Sequence, residues 1–255
     1  MVHDRANLVY ESPSIAEFYR EHRTAWNDFY PSERRILDGL GINPDSSLID
    51  LGCGCGGLGV ALNTRFGLTS YVGVEINRQA AAEAQAMVSG FGGTAIEGDV
   101  AALDHVQIPH GPTFDYVVSL SCIDWNVQFD DMLAQAWQLV SPGGWLVMTL
   151  RVHPLEQATT IEDSYQFIRF DGERRGEKAP YIYINAKSLN SILTALSPSE
   201  VRAVGYWGQP SPTAVTAVSR LCFMALAVRK VTVAGDDRAV LSLELPRELI
   251  AALMS

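Results

Sequence analysis

The chain has few basic residues and no long apolar run. It carries 19 Lys and Arg against 29 Asp and Glu, which gives a net charge of −10. Proteins that bind a phosphate backbone usually present a basic surface, so this charge argues against a nucleic-acid partner. No apolar stretch is long enough to cross a bilayer, and residues 1–23 lack the apolar core of a signal peptide. We therefore expect a cytoplasmic protein without a membrane or nucleic-acid partner.

Cysteine and histidine are also scarce, with four and five residues respectively. Cys53 and Cys55 lie close together, but no second pair follows at the spacing of a zinc site. No dense cluster of acids or histidines demands another metal. The sequence therefore predicts structural thiols and no metal site, and it leaves the oligomeric state open.

Glycine, in contrast, is concentrated in one short stretch. Residues 48–51 are apolar except for Asp50. Glycine follows at Gly52, Gly54 and Gly56, and a helical pattern of apolar residues then begins. Glycine permits a positive φ and lets a ligand approach the main chain. The free N–H groups of the following helix favour a carboxylate or phosphate. This pattern predicts a buried strand, a tight turn and a helix that together bind a nucleotide-like molecule.

Strands alternate with helices along most of the chain. The predicted strands are residues 47–51, 71–74, 94–96, 114–120, 145–150, 201–206 and 221–228. Apolar positions at helical spacing separate them, so we expect a doubly wound α/β fold with a mostly parallel, seven-stranded sheet. This domain spans residues 42–230.

Three other segments accompany the predicted domain. Residues 1–41 predict helices that begin at Ser12-Pro13 and at Pro31. Residues 152–185 form a long polar insert after the fifth strand. Residues 231–255 form a tail, in which a strand near residues 240–245 precedes a short helix.

The glycine spacing alone does not identify the ligand. Gly52, Gly54 and Gly57 fit the dinucleotide fingerprint, and an acid, Glu75, follows the second strand. A nicotinamide-dependent oxidoreductase is therefore one interpretation.

Five segments in order resemble the motifs of class I S-adenosylmethionine-dependent methyltransferases. They are residues 50–56, 71–75, 97–100, 114–118 and 139–146. The resemblance implies that family's fold, S-adenosylmethionine as cofactor and methyl transfer as the reaction. A non-catalytic protein that only binds the cofactor would keep the same motifs and stays an alternative.

The resemblance also implies roles for particular residues. Glu75 would accept both ribose hydroxyls, Asp99 would accept the adenine amino group, and the main chain of Val100 would meet the ring edge. Capping of the following turn is the alternative role of Asp50 and Asp99. The cofactor-binding candidates are Asp50, Gly52, Cys53, Gly54, Gly56, Glu75, Ile76, Asp99, Val100 and Ser119.

The methyl acceptor is expected beyond the carboxyl ends of the fourth and fifth strands. Asp124 and His153 follow these strands and are the candidate catalytic bases. A helix cap and a loop histidine are their alternative roles, and the family has no universal catalytic residue that would decide.

The acceptor itself is expected to be a small metabolite. Residues 1–41 would form a lid, and the aromatic residues of the insert at 152–185 would cap the acceptor, which suits a sugar or an aromatic secondary metabolite. We expect methylation of an oxygen, or else a nitrogen. The fourth strand is followed by Ser119-Leu120-Ser121-Cys122, and not by the Asn/Asp-Pro-Pro-Tyr of nucleic-acid amine modifiers.

Overall fold

A computed structural model describes residues 23–168, 172–232 and 239–255. The helix predicted to begin at Ser12-Pro13 lies outside these residues. The strands are β1 Ser47–Leu51, β2 Ser70–Glu75, β3 Thr94–Glu97, β4 Phe114–Ser119, β5 Val140–His153, β6 Tyr165–Phe167, β7 Lys178–Pro180, β8 Ile184–Asn185, β9 Glu200–Gly208, β10 Ala214–Val215, β11 Leu221–Arg229 and β12 Val240–Glu244. The α-helices are α1 Pro31–Asp38, α2 Gly57–Phe66, α3 Arg78–Val88, α4 Phe129–Gln138, α5 Ala186–Leu196 and α6 Arg247–Leu253.

The central sheet is mostly parallel, which confirms the predicted fold class. Its strand order is β12-β9-β11-β5-β4-β1-β2-β3, and β8 pairs beside β5. Only β11 runs antiparallel to its neighbours, β5 and β9. Because β1 lies between β2 and β4, the connections leave the sheet in opposite directions from this point, where ligands of such sheets bind.

The predicted count of seven strands was too low. All seven strands are present, and the sheet gains β8 and β12 to reach nine. The added β12 pairs in parallel with β9 and so covers main-chain groups at that edge of the sheet. The strand and helix expected in the C-terminal tail are therefore both present.

The polar insert contributes to a second, smaller sheet. Its strands β6 and β7 pair with each other, and β6 also pairs with β10 from the connection between β9 and β11. The insert is thus held against a distant part of the chain.

Alternation along β1 determines which side chains meet under the glycine turn. Ile49 and Leu51 pack in the core on one face of the sheet. Leu48 packs on the other face, together with Tyr71 of β2. Asp50 shares the face of Leu48, because side chains in a strand alternate, and it therefore points toward Tyr71.

The segment before α1 packs on α2. Residues Trp26–Asp28 form a short 3₁₀ helix, and the Trp26 ring meets Phe66 edge-on at 5.5 Å. Phe29 is buried in the core on the same face of the sheet. Among the described residues, no helix has both the length and the apolar character needed to cross a membrane.

Candidate active site

The glycine turn between β1 and α2 has a backbone that glycine accommodates best. Gly52, Gly54 and Gly56 have φ angles of 79°, 54° and 82°. Other residues adopt such positive angles only with strain. A Cβ atom on Gly52 would also collide with the thiol of Cys122. The turn therefore brings bare main chain to the carboxyl edge of the sheet, beside the start of α2.

One acid ends β2 and another follows β3, the strand beside it. Glu75 is 7% exposed and accepts hydrogen bonds from the N–H groups of Gly54 and Asn77, each at 2.9 Å. Burial raises the pKa of Glu75, and these backbone donors oppose the rise. A carboxylate offers about four acceptor positions, and the backbone of Gly54, Ile76 and Asn77 uses up to three of them at Glu75. Asp99 accepts from the N–H of Ala101 at 2.9 Å, so it does cap the following turn.

Asp50 is buried at the end of β1 and is held by a tyrosine. It is 3% exposed, and the Tyr71 hydroxyl donates a hydrogen bond to its Oδ2 at 2.8 Å. Burial raises the pKa of Asp50 to about 7, against the lowering effects of the Tyr71 hydrogen bond and of Arg23. This carboxyl group therefore changes charge near neutral pH.

Tyr71 is a site residue that sequence reasoning missed. A Cβ atom on Gly59 would come within 2.8 Å of the Tyr71 ring, and one on Gly73 within 3.3 Å of its hydroxyl. Both glycines therefore leave room for the tyrosine under the turn. The sequence signal that could have pointed to Tyr71 is the pair of glycines that make room for it, Gly59 in α2 and Gly73 in β2.

Several other cofactor candidates support the turn from beneath. The thiol of Cys53 lies against Gly73, and burial raises its pKa well above the usual range, so it stays protonated. Ser119 donates to the carbonyl of Leu51 at 3.0 Å and thereby ties β4 to β1. The Val100 side chain packs in the core, so its main chain is the part that can face a ligand.

A cavity of about 350 Å³ lies beside the ends of β4 and β5. Aromatic and uncharged polar side chains dominate its lining, together with one acid and one arginine. The lining residues are Tyr30, Ser32, Ser121, Asp124, Trp125, Thr149, Leu150, Arg151, Gln166, Tyr181, Tyr206, Gln209, Ser211, Phe223 and Met224. The cavity adjoins the glycine turn, because Cys122, the neighbour of Ser121, packs its thiol against Gly52.

Asp124 lines this cavity, and one of its carboxylate oxygens has no hydrogen-bond partner. The residue is 5% exposed, and its buried Oδ1 has no hydrogen-bond partner. Its Oδ2 lies 3.5 Å from Nη2 of Arg151. Burial raises the pKa of Asp124, and the charge of Arg151 opposes that rise. An unpaired buried acceptor is costly, so a ligand that donates to Oδ1 is favoured.

Arg151 holds Asp124 in position. Its guanidinium lies between two rings, 4.3 Å from the centroid of Trp125 and 3.7 Å from that of Tyr181. Its Nη1 donates to the carbonyls of Asp124 at 2.8 Å and Ile182 at 3.1 Å. These contacts join the end of β5 to the insert and fix the wall of the cavity.

The second candidate base, His153, does not line the cavity. Its Nδ1 accepts from the N–H groups of Leu155 at 3.3 Å and Glu156 at 2.9 Å. Burial lowers the pKa of His153. The structure thus brings Asp124 to the cavity but uses His153 to hold a turn. No group of three or more potential metal ligands occurs in the part of the chain that the structure describes.

The comparisons with known proteins agree with this geometry. A family model described as a methyltransferase domain matches residues 49–146. A solved S-adenosylmethionine-dependent methyltransferase from Methanosarcina mazei has a TM-score of 0.54 at 14% identity, covering 80% of this chain and 98% of its own. Phosphoethanolamine N-methyltransferase 2 from Haemonchus contortus, solved with S-adenosyl-L-methionine, has a TM-score of 0.55 at 16% identity, covering 80% of this chain and 53% of its own. At such identities these structures establish the fold alone.

A curated relative is similar to part of the chain. It is the U6 snRNA methylphosphate capping enzyme Amus of Drosophila melanogaster, 29% identical over 163 residues. The match covers 52% of this chain and 54% of the relative, so the chain spans about half the length of the curated relative. The expectation of no nucleic-acid partner therefore lacks support.

The ordered motifs, the family-model match and the sheet order agree with one another. They decide against the nicotinamide-dependent oxidoreductase that the glycine spacing left open. The turn with its bare main chain and the two acids after β2 and β3 fit an adenosyl ligand with an amino-acid end. Residues 49–146 match the methyltransferase domain family, the chain has the fold of solved S-adenosylmethionine-dependent methyltransferases, and S-adenosylmethionine is the cofactor that this site fits.

Proposed function

We propose that this protein transfers a methyl group from S-adenosylmethionine to an oxygen, or else a nitrogen, of a small molecule bound in the cavity. The observation that carries the proposal is the buried, unpartnered Oδ1 of Asp124 in the cavity wall. It is the group from which a base would act, and it lies beyond the end of β4, the strand that pairs with β1 beside the cofactor turn.

In this proposal each cofactor-binding residue contacts a different part of the cofactor. Glu75 accepts the ribose hydroxyls and Asp99 accepts the adenine amino group, while the main chain of Gly52 and Gly54 lies along the amino-acid end. Asp50 pairs with the ammonium group, directly or through water. When bound, the cofactor supplies a methyl group on a positively charged sulfur.

Asp124 then takes the proton that the acceptor loses. The acceptor oxygen gains the methyl group, the bond between that carbon and sulfur breaks, and the acceptor's proton passes to Asp124. The raised pKa of Asp124 suits it to this step, since a stronger base accepts the proton more readily. Arg151 contributes by pairing with Oδ2, which leaves Oδ1 as the oxygen that takes the proton.

The cavity lining favours an acceptor with a flat apolar body and a hydrogen-bond donor. Trp125, Tyr181, Tyr206 and Phe223 supply ring surface, and a volume of about 350 Å³ suits a small metabolite. A phosphate group fits poorly. Arg151 is the basic residue in the lining, and its donors already face carbonyl oxygens and the Asp124 carboxylate.

Methylation of RNA is the second candidate function. The printed name of the Drosophila melanogaster relative supports it, over about half of each chain. The net charge of −10 and the uncharged side chains that dominate the cavity lining weigh against it.

Transfer of a labelled methyl group tests the proposal and separates the two functions. Labelled cofactor is incubated with a fraction of small metabolites and, separately, with total RNA. We expect label in a small product, and we expect Asp124→Asn to lower kcat about 100- to 10,000-fold while binding of S-adenosylhomocysteine stays unchanged.

Asp104→Asn is the matched control, because this acid is exposed and lies outside the cavity; its activity should equal that of the wild type. Label in RNA alone would favour the second candidate. Full activity in Asp124→Asn would refute the role of this residue, and cofactor binding without transfer to either fraction would point to a non-catalytic protein.

A further inference from the structure

Arg23 has a position that neither the motifs nor the proposed reaction explains. Its main-chain carbonyl lies against Gly57, the first residue of α2. Its Nη1 lies 3.4 Å from the Oγ of Ser121, just beyond β4. The residue therefore bridges the loops that follow β1 and β4, and these loops enclose the amino-acid end of the cofactor in the proposed function.

A buried acid holds the Arg23 guanidinium in place. Nη2 donates to both carboxylate oxygens of Glu33, at 2.9 and 3.0 Å, and Glu33 is fully buried. Glu33 also accepts from the N–H of Tyr30 at 2.8 Å, at the start of α1. Both contacts come from the one nitrogen, so this charge-assisted pair anchors Nη2 and holds the guanidinium at this position before any ligand binds.

The hydrogen-bond capacity of Arg23 is only partly used. A guanidinium has five N–H donors, and the two on Nη2 point to Glu33. Nε and Nη1 remain, with Nη1 engaged only by the long contact to Ser121. Nε and Nη1 lie on different edges of the guanidinium, so they do not form a fork, but Nη1 can donate one charge-assisted hydrogen bond to a second carboxylate.

The backbone at this point is strained on both sides. Arg23 and Ser121 have φ angles of 61° and 53°, which side chains other than glycine rarely adopt. Such strain gathers at ligand sites.

Charges at this end of the crevice match an amino-acid group. Arg23 is close enough to Asp50 to lower that carboxyl's pKa. A cation and an anion side by side complement the carboxylate and the ammonium of one α-amino acid. The N-terminus of α2, against which Arg23 packs, adds N–H groups that also favour an anion.

We propose that Arg23 binds the α-carboxylate of the cofactor's methionine moiety and so completes the cofactor site. The inference rests on the proposed cofactor arrangement and adds a residue that the family motifs do not contain. Because its anchor, Glu33, belongs to α1, the segment before the methyltransferase motifs takes part in cofactor binding.

Calorimetry with two ligands isolates this contact. S-adenosylhomocysteine carries the amino-acid group, whereas 5′-methylthioadenosine keeps the adenosine and thioether but lacks it. We expect Arg23→Gln to weaken the binding of S-adenosylhomocysteine about 10- to 100-fold and to change the affinity for 5′-methylthioadenosine less than about twofold. Arg23→Lys, which keeps the charge without the guanidinium that pairs with Glu33, should lose an intermediate part of the affinity for S-adenosylhomocysteine.

Arg65→Gln is the matched control. Arg65 packs 4.8 Å from the Trp26 ring centroid and so secures the same segment to α2. Its replacement should leave both affinities unchanged. An equal loss of affinity for both ligands in Arg23→Gln would make Arg23 a structural residue. Unchanged affinity for S-adenosylhomocysteine would overturn the proposal directly. A wild type that binds neither ligand would instead overturn the cofactor arrangement, and with it this inference.

Discussion

Replacing Asp50 with Asn should stabilise the protein in alkaline solution while weakening its hold on the cofactor. Asp50 is 3% exposed, and burial raises its pKa from 3.8 to about 7. The folded protein therefore keeps a proton on Asp50 at pH values where the unfolded chain has lost it. Stability that depends on this group falls as the pH rises through 7.

The magnitude follows from the pKa difference. With pKa values of 3.8 unfolded and about 7 folded, the shifted titration of Asp50 lowers the free energy of unfolding by about 2 kcal/mol at pH 5.5 and about 4 kcal/mol at pH 8. Asn cannot ionise, yet its carbonyl oxygen can still accept the hydrogen bond from Tyr71. Between these pH values the free energy of unfolding should therefore fall by about 2 kcal/mol more in the wild type than in the Asn variant.

Urea unfolding at pH 5.5 and pH 8 measures this difference. The quantity compared is the change in the free energy of unfolding between the two pH values, in each protein. Any effect of the amide that is the same at both pH values drops out of this comparison. Binding of S-adenosylhomocysteine at pH 8, measured on the same samples, should be about tenfold weaker in the variant, because the amide carries no charge for the ammonium. Parallel pH dependence in the two proteins would refute the argument that Asp50 is ionised at a cost.

Two further substitutions test the support of the turn. Tyr71→Phe removes the hydroxyl that donates to Asp50, so the pH above which S-adenosylhomocysteine binds well should move upward; an unchanged pH profile in calorimetry would contradict this. Gly52→Ala must place a Cβ against Cys122 at a φ of 79°, so it should abolish detectable binding and lower Tm by several degrees. Gly111→Ala, with a positive φ but open space around it, is its control and should keep full binding.

The sequence was sufficient for the fold because its signals are local. Buried parallel strands are continuous apolar runs, as at β1, where the predicted bounds equal the observed ones. The extra strand β8 has only two residues, too few for a periodicity. The small sheet of β6, β7 and β10 depends on pairing between segments far apart in the chain, which no local pattern reveals.

The candidate site was only partly predictable for the same reason. The turn and the acids that follow β2 and β3 are recognisable from short motifs. Asp124 was predicted as a candidate base, but its pairing with Arg151 depends on how β5 and the insert fold back, across 27 residues. Arg23 and Tyr71 act through contacts with distant segments, so their roles emerged only from three-dimensional proximity.

Calorimetric titration of S-adenosylhomocysteine into Glu75→Gln tests most directly whether the cofactor lies across the tips of β1, β2 and β3. Glu97→Gln is the matched control, because Glu97 pairs in register with Glu75 on the next strand but has an exposed side chain. The account predicts at least about tenfold weaker binding in Glu75→Gln and wild-type affinity in Glu97→Gln. Equal affinities in all three proteins would contradict it.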